Sequence, residues 1–514
     1  MTERRLGNLM TVLIPARSYN INCAWTMEKL MPGIELFSCR MLLIFDQLFP
    51  SELQNYFGLN DREREVLLDN LLESRLITIT PDGYIEASPF LRKHAQHNDG
   101  KPTLVKYQER TEEVALDLLT LSVRKPQSLR REMNGLPELL PKGKVGVNTE
   151  QVIEAFSQQF RHYLMLSRNN EHERQRTQLY KVMGCHSNAM VQIPVDIEFN
   201  YAPFAGGEPQ KFTHSFERVG GHRLPLSNEL ESHIADYLGG QQIEQTGLSC
   251  EEYCEQVRDP VLAHFANNYQ FDYSSWMLAR EKRQTGYGTT LTTGMLGPVY
   301  LPDNSRRFLS ELRTALRSIE ELPAPKVIWY SSGVPLWAAN ASQLTRFNSD
   351  LTDILAGMTE KPTKLTLLHA SDDKAQSQKT KRKYQNRFAN GIGLSSHARF
   401  DRMELLLIPG VIGLVQYHGQ PNADSSVTVP IGYITTEPER LQLLENLVAT
   451  RVENALARTS WGDTSHRLDD LLPDDILAAL NPDSDAAVIG ARRRKMTAQR
   501  SEHARAILSL RRNS

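Results

Sequence analysis

Apolar positions along this chain change period several times, and each change marks a segment. Residues 41–49 are largely apolar. Asn60 with Glu63 three positions on is a helix-opening signal, and Val66, Leu67, Leu71 and Leu72 supply the stripe that follows. Residues 76–80 and 84–87, joined by Pro81, Asp82 and Gly83, alternate as a hairpin. From residue 100 to about 174 the pattern is helical in character, and Asn148 or Thr149 caps a helix with Val152, Ile153, Phe156, Phe160 and Leu164 on one face. The stretch 126–147, rich in proline and glycine, reads as a connection. Residues 191–199 alternate as a strand, which Pro194 confines to an edge or bulge. Residues 200–300 mix aromatics, glycines and short helices and suggest no fold.

After residue 303 the pattern is clearer. Phe308, Leu309, Leu312, Leu316 and Ile319 form one helical face, and 326–331 follows as a strand. A helix over 341–356, stopped by Gly357, and a second strand over 364–369 complete a βαβ unit. Residues 405–415 are an unbroken run of 11 carrying Pro409 and Gly410 at its turn, too short for the roughly 20 residues a membrane helix needs. They predict a buried hairpin. Residues 427–435 add a strand, and Pro438 opens a helix running to about 456. The fold class expected is α/β, mixed α+β overall, with a mixed sheet flanked by helices in the C-terminal part. The divisions expected are 1–100, 101–180, 181–302, 303–460 and a tail over 461–514.

Composition narrows the class. The chain has 514 residues, 40% apolar and 23% charged, which are ordinary globular values and exclude a wholly disordered chain. Five cysteines, Cys23, Cys39, Cys185, Cys250 and Cys254, are too few for a disulfide scaffold and predict reduced thiols in a cytoplasmic protein. The net charge of -2 conceals a segregated tail. Residues 462–485 carry seven aspartates against Arg467, and 491–514 carry seven arginines and Lys495 against Glu502. Such opposed blocks are usually solvated, and they can also pair with each other.

The helix, helix and hairpin of residues 26–93 resemble a winged-helix module. Its second helix carries Asp61, Glu63, Glu65, Asp69 and Glu73 against three arginines. Duplex reading calls for basic and amide side chains there, so both DNA binding and protein docking stay open.

The most specific cluster is His397, Arg399 and Glu404, spaced His-x-Arg-x4-Glu behind the βαβ unit and ahead of the hairpin. It resembles the His-x-Lys-x4-Asp signature of the phospholipase D superfamily, with Arg for Lys and Glu for Asp. Gly419-Gln420-Pro421-Asn422 stands near that family's Gly-Ser-x-Asn element. The resemblance implies a phospholipase D-like C-terminal domain in which His397 attacks phosphorus, Arg399 and Asn422 hold phosphoryl oxygens and Glu404 orients the imidazole. It calls for no metal and no cofactor. Two histidines are needed, supplied either by a homodimer that pairs two copies of His397 or by a second half upstream.

Lys374, Lys379, Lys381, Arg382, Lys383 and Arg387, interleaved with Tyr384 and Phe388, predict a surface that follows a phosphate backbone and stacks on bases, or else a solvated helix with its aromatics in the core. Arg492, Arg493, Arg494 and Lys495 extend the candidate nucleic-acid contacts into the tail. The function expected is a metal-independent nuclease of the phosphodiesterase type, of the kind found in DNA-processing and antiphage defence systems. The alternative is a non-catalytic subunit that binds nucleic acid, DNA in the first instance, or docks protein partners. No membrane partner is expected.

Overall fold

The computed structural model describes residues 4–29, 31–97, 104–125, 129–140, 147–168, 170–319, 325–358, 362–395, 397–423, 425–462 and 467–480. It is a mixed α/β protein with several sheets. The chain forms two compact units, one made of Ala16–Gln127 and Gly143–Val191, the other of Met1–Pro15, Ser128–Lys142 and Gln192–Ser514. The division is therefore not the sequential one expected, because the chain leaves one unit and returns to it.

The first unit begins on β1 (Arg5–Lys29), a strand of 25 residues that the sequence pattern does not reveal. Then come α1 (Gly33–Ile44), β2 (Gln47–Leu48), α2 (Pro50–Phe57), α3 (Asp61–Glu73), β3 (Ile77–Ile79), β4 (Ile85–Ala87) and α4 (Pro89–His97). Asn60 caps α3 by accepting from Glu63 N, as its spacing predicts. Strand β4 pairs antiparallel with both β2 and β3, and Leu42, Leu53, Leu71, Ile85 and Leu91 close a separate small core. Next is β5 (Leu104–Asp117), in a region expected to be helical. It pairs antiparallel with β1 from Ala16 to Lys29, and this long pairing overrides the helix preference of its glutamates and leucines. After β6 (Val123–Arg124), α5 (Thr149–Gln158), α6 (Phe160–Ser167) and α7 (Glu171–Arg176), the chain enters β7 (Thr177–Ala202). Asn148 caps α5, and the predicted single helix breaks at Gln159 into two. Their Val152, Phe156, Phe160 and Leu164 bury against Tyr19, Ile21, Cys23 and Trp25 of β1.

The second unit holds the start of β1 and the end of β7. Pro194 of β7 stands one residue outside the pairing with β8 (Gln210–Val219), which begins at Val195. The elements that follow are β9 (His222–Pro225), α8 (Asn228–Gly239), α9 (Cys250–Gln256), α10 (Pro260–Ala263), β10 (Ala266–Asn267), β11 (Gln270–Phe271), α11 (Tyr273–Glu281), β12 (Thr292–Leu296) and α12 (Pro302–Leu316). The expected βαβ unit is present as β13 (Lys326–Tyr330), α13 (Ser342–Ala356) and the parallel β14 (Lys364–Ala370). It continues through α14 (Lys374–Tyr384) into a third parallel strand, β15 (Asn390–Leu394). The buried hairpin is β16 (Met403–Ile408) and β17 (Ile412–Gly419), turning at Gly410 with φ +70°. Then come β18 (Val429–Thr435), α15 (Pro438–Val452), β19 (Ala457–Trp461), α16 (Leu468–Leu471) and α17 (Asp474–Leu480).

The eight strands of this sheet run β12-β18-β17-β16-β13-β14-β15-β19. Trp329, Phe308, Phe347, Trp337, Leu406 and Leu414 form the core on one face. The acidic part of the tail is not simply solvated: Leu471, Leu472 and Ile476 are buried, and Lys326 Nζ donates to Leu472 O at 2.8 Å. Arg492, Arg493, Arg494 and Lys495 lie outside the described residues. Among the described residues no helix is long and apolar enough to cross a membrane, and all five cysteines are unpaired.

Candidate functional site

Parallel strands β13, β14 and β15 end on the same edge, and in open α/β sheets the crevice beyond such carboxyl ends is where ligands bind. A cleft of about 990 Å³ opens there. It is lined by Ala370 at the end of β14 and Asp372 just after it, by the loop from His397 to Asp401 after β15, and by Asn446, Thr450 and Arg451 of α15. The side chains of His397 and Arg399 are exposed.

The loop that carries them is held rigidly. Arg399 O accepts from Arg451 Nη1 at 2.7 Å and from the Tyr330 hydroxyl. Asp401 O accepts from Gly333 N at 2.6 Å and Ser332 Oγ at 2.8 Å, and the Asp401 carboxylate pairs with Arg451 at 3.1 Å. Phe400 stacks on Tyr330 with centroids 4.6 Å apart. Gly333 is required here, since a Cβ would stand 2.6 Å from Phe400 O. Arg451 is thus bound up in holding the loop, whereas His397 and Arg399 line the cleft with exposed side chains.

Glu404 does not join them, which corrects the role expected from the motif. The motif is not on one strand: His397 and Arg399 lie in the loop and Glu404 in β16. Side chains alternate faces along a strand. Tyr330 serves the loop, whereas its neighbour Trp329 points to the opposite face, and Glu404 sits with Trp329. Glu404 Oε1 accepts from Trp329 Nε1 at 2.6 Å, and Oε2 meets His418 Nε2 at 2.7 Å. His418 Nδ1 in turn lies 3.2 Å from Thr428 Oγ1. Hydroxyl, imidazole and carboxylate in series are the parts of a nucleophile and base. Here all three residues are buried around a cavity of about 10 Å³, room for no more than about one water, so the chain holds the sheet together instead.

Asn422 is also placed elsewhere. Its Nδ2 donates to Glu208 Oε2 at 3.2 Å and Pro209 O at 2.9 Å, so it is tied to the loop before β8 and not to a phosphate site beside His397.

The basic segment forms α14, opened by Asp373, whose carboxylate accepts from Gln376 N at 2.7 Å. Lys374, Lys379 and Arg382 are exposed; Lys381 and Lys383 are half-buried. Tyr384 and Phe388 are buried against Trp337, so they form core and offer bases no platform. Arg387 is buried too: Nη2 donates to Lys383 O, the guanidinium lies 5.4 Å from the Tyr384 ring, and burial lowers its pKa to about 10. It is no surface phosphate contact.

His369 of β14 stacks on Trp461 of β19 across the glycine-bearing β15, with centroids 5.2 Å apart. Its Nδ1 lies 3.0 Å from Ala370 O, which can only accept, so Nδ1 carries the proton and Nε2 accepts from Ser460 Oγ at 3.0 Å. Burial depresses its pKa to about 4.

His418 is the partner that sequence reasoning missed. Counting back from the Pro409-Gly410 turn would have found it, because the hairpin register pairs Glu404 with Gln416 and leaves His418 diagonal to Glu404 on the same face. Among the described residues no group of three or more His, Cys, Asp or Glu side chains is arranged to hold a metal. Compared with known proteins, the chain matches no family model, no curated protein and no solved structure.

Proposed function

We propose that the protein binds nucleic acid along the carboxyl edge of its α/β sheet without cleaving it, as a cytoplasmic binding subunit of a DNA-processing or defence complex. The observation that carries this reading is the commitment of Glu404 to His418 and Trp329 on the face of the sheet opposite His397. An attacking imidazole needs a partner that fixes its tautomer, and His397 Nδ1 lies 3.4 Å from Ser395 Oγ, a hydroxyl and not a carboxylate. Arg399 in the cleft and Lys374, Lys379 and Arg382 on α14 are the exposed cations for a phosphate backbone. In this reading the likeness to the phospholipase D superfamily extends to phosphate recognition and stops short of phosphoryl transfer.

The test is fluorescence anisotropy with labelled single-stranded DNA, single-stranded RNA and duplex across a salt series, with gel analysis of the same samples. Four phosphate contacts on a single strand predict a log-log salt slope of about -3. Binding that lacks salt dependence overturns the proposal, and so does metal-independent cleavage that His397→Ala abolishes.

A further inference from the structure

A second cavity of about 380 Å³ lies between the β10–β11 hairpin, the loop before β8 and the loop after β17. Its size is at the lower end of ligand pockets, which run from about 300 to 1,000 Å³, and suits a single ring system with its sugar. Asn268, with φ +50°, turns the hairpin and presents Tyr269, which is half-buried. Phe265 and Phe271, with centroids 6.2 Å apart, add aromatic wall, and Gln245 and Gln270 reach the rim as exposed amides.

One buried polar atom at this pocket lacks a partner. Asn422 is fixed through Nδ2, as above, yet its Oδ1 is buried without a hydrogen bond. Behind the Tyr269 ring, at 5.8 Å, stands Arg402, which is 3% exposed and donates from Nη2 to Glu244 O at 2.7 Å. Buried donors and acceptors are normally paired, and unpaired ones call for an explanation.

We infer that this pocket receives one unpaired nucleobase of a single-stranded nucleic acid. Aromatic walls accept the flat face of any base, and amides that both donate and accept match the mixed edge of a base. An aliphatic peptide side chain would leave those amides unmatched. The inference rests on the proposal that the chain binds nucleic acid, and it adds single-strandedness and a base-sized site.

The experiment uses the full chain and a single-stranded oligonucleotide carrying 2-aminopurine, read by anisotropy for affinity and by base fluorescence for stacking. Tyr269→Ala should weaken binding about 10-fold and abolish the fluorescence change, and Tyr269→Phe, which keeps the ring, should retain both. Gln270→Ala, at an exposed rim position, should lose about threefold with the fold intact. An abasic substitution at the responsive position should lose the same factor as Tyr269→Ala, and the two losses should not add. Salt-dependent binding that persists unchanged in both alanine variants overturns the base pocket and leaves the nucleic-acid reading standing. Failure of every oligonucleotide to bind overturns both.

Discussion

Replacing Glu404 separates its structural role from a catalytic one. Its two oxygens satisfy two donors, Trp329 Nε1 at 2.6 Å and His418 Nε2 at 2.7 Å, and the side chains of the His418–Glu404 pair are 5% and 4% exposed. Alanine here strands an indole N–H and an imidazole in a dry core. Each unsatisfied donor costs about 1–3 kcal/mol, and removing one member of a buried pair costs about 3–5 kcal/mol in all. For the unit that holds Glu404, made of Met1–Pro15, Ser128–Lys142 and Gln192–Ser514, that lowers Tm by about 4–7 °C if it melts cooperatively. Glutamine keeps an acceptor for Trp329 and should lose about 1–2 kcal/mol. Thermal unfolding followed by tryptophan fluorescence reads both, and oligonucleotide anisotropy below the transition reads the site. The expected pattern is a large loss of stability in Glu404→Ala with affinity unchanged, because Glu404 faces away from the cleft. A melting curve that overlays the parent, or an affinity loss as large as that of Arg399→Ala, would refute the reasoning.

Three further outcomes follow. His369 has a folded pKa of about 4, below its ordinary value of 6.5, so the unfolded chain takes up its proton first as pH falls. Its contribution is therefore complete above about pH 6.5, declines through the window down to 4, and amounts to about 3 kcal/mol at most; urea midpoints across that range should show a shallower slope in His369→Asn. Gly432→Ala would put a Cβ 1.9 Å from Val415 O and 2.8 Å from Gln416 Cα, both backbone atoms that cannot swing aside. It should destabilise by about 3 kcal/mol or more, and an ordinary melt would contradict that packing. Reversing Lys379 and Arg382 to glutamate together should reduce the magnitude of the log-log salt slope by at least about 1.4 with no effect on thermal stability.

Most of the C-terminal sheet is legible in the sequence because its strands are buried on both faces and read as apolar runs bounded by turn residues. β15 is hidden because two of its five residues are glycine. Both positions need that residue: a Cβ on Gly391 would meet the Trp461 ring at 2.3 Å, and one on Gly393 would meet Ser371 Cβ at 2.6 Å. The long strands β1 and β5 are hidden for a different reason. Their polar residues, such as Asn20, Asn22, Glu109 and Glu113, sit on a paired ladder whose partner is some 90 residues away, and no local window contains that information. The motif residues are legible as types but not as a constellation. Four residues separate Arg399 from Glu404, and a strand that starts between them turns Glu404 to the opposite face. The cations of α14 are readable as a run, but which of them bury, as Arg387 does, depends on the third parallel strand that follows.

The most direct test of a binding site without chemistry is one titration of the full-length protein with single-stranded DNA and RNA, followed by denaturing gels of the endpoints without added metal. The expected result is saturable binding that weakens about 60-fold from 50 to 200 mM salt, substrates that stay intact, and an Arg399→Glu variant that binds less tightly. Strand cleavage that disappears in His397→Ala would contradict it.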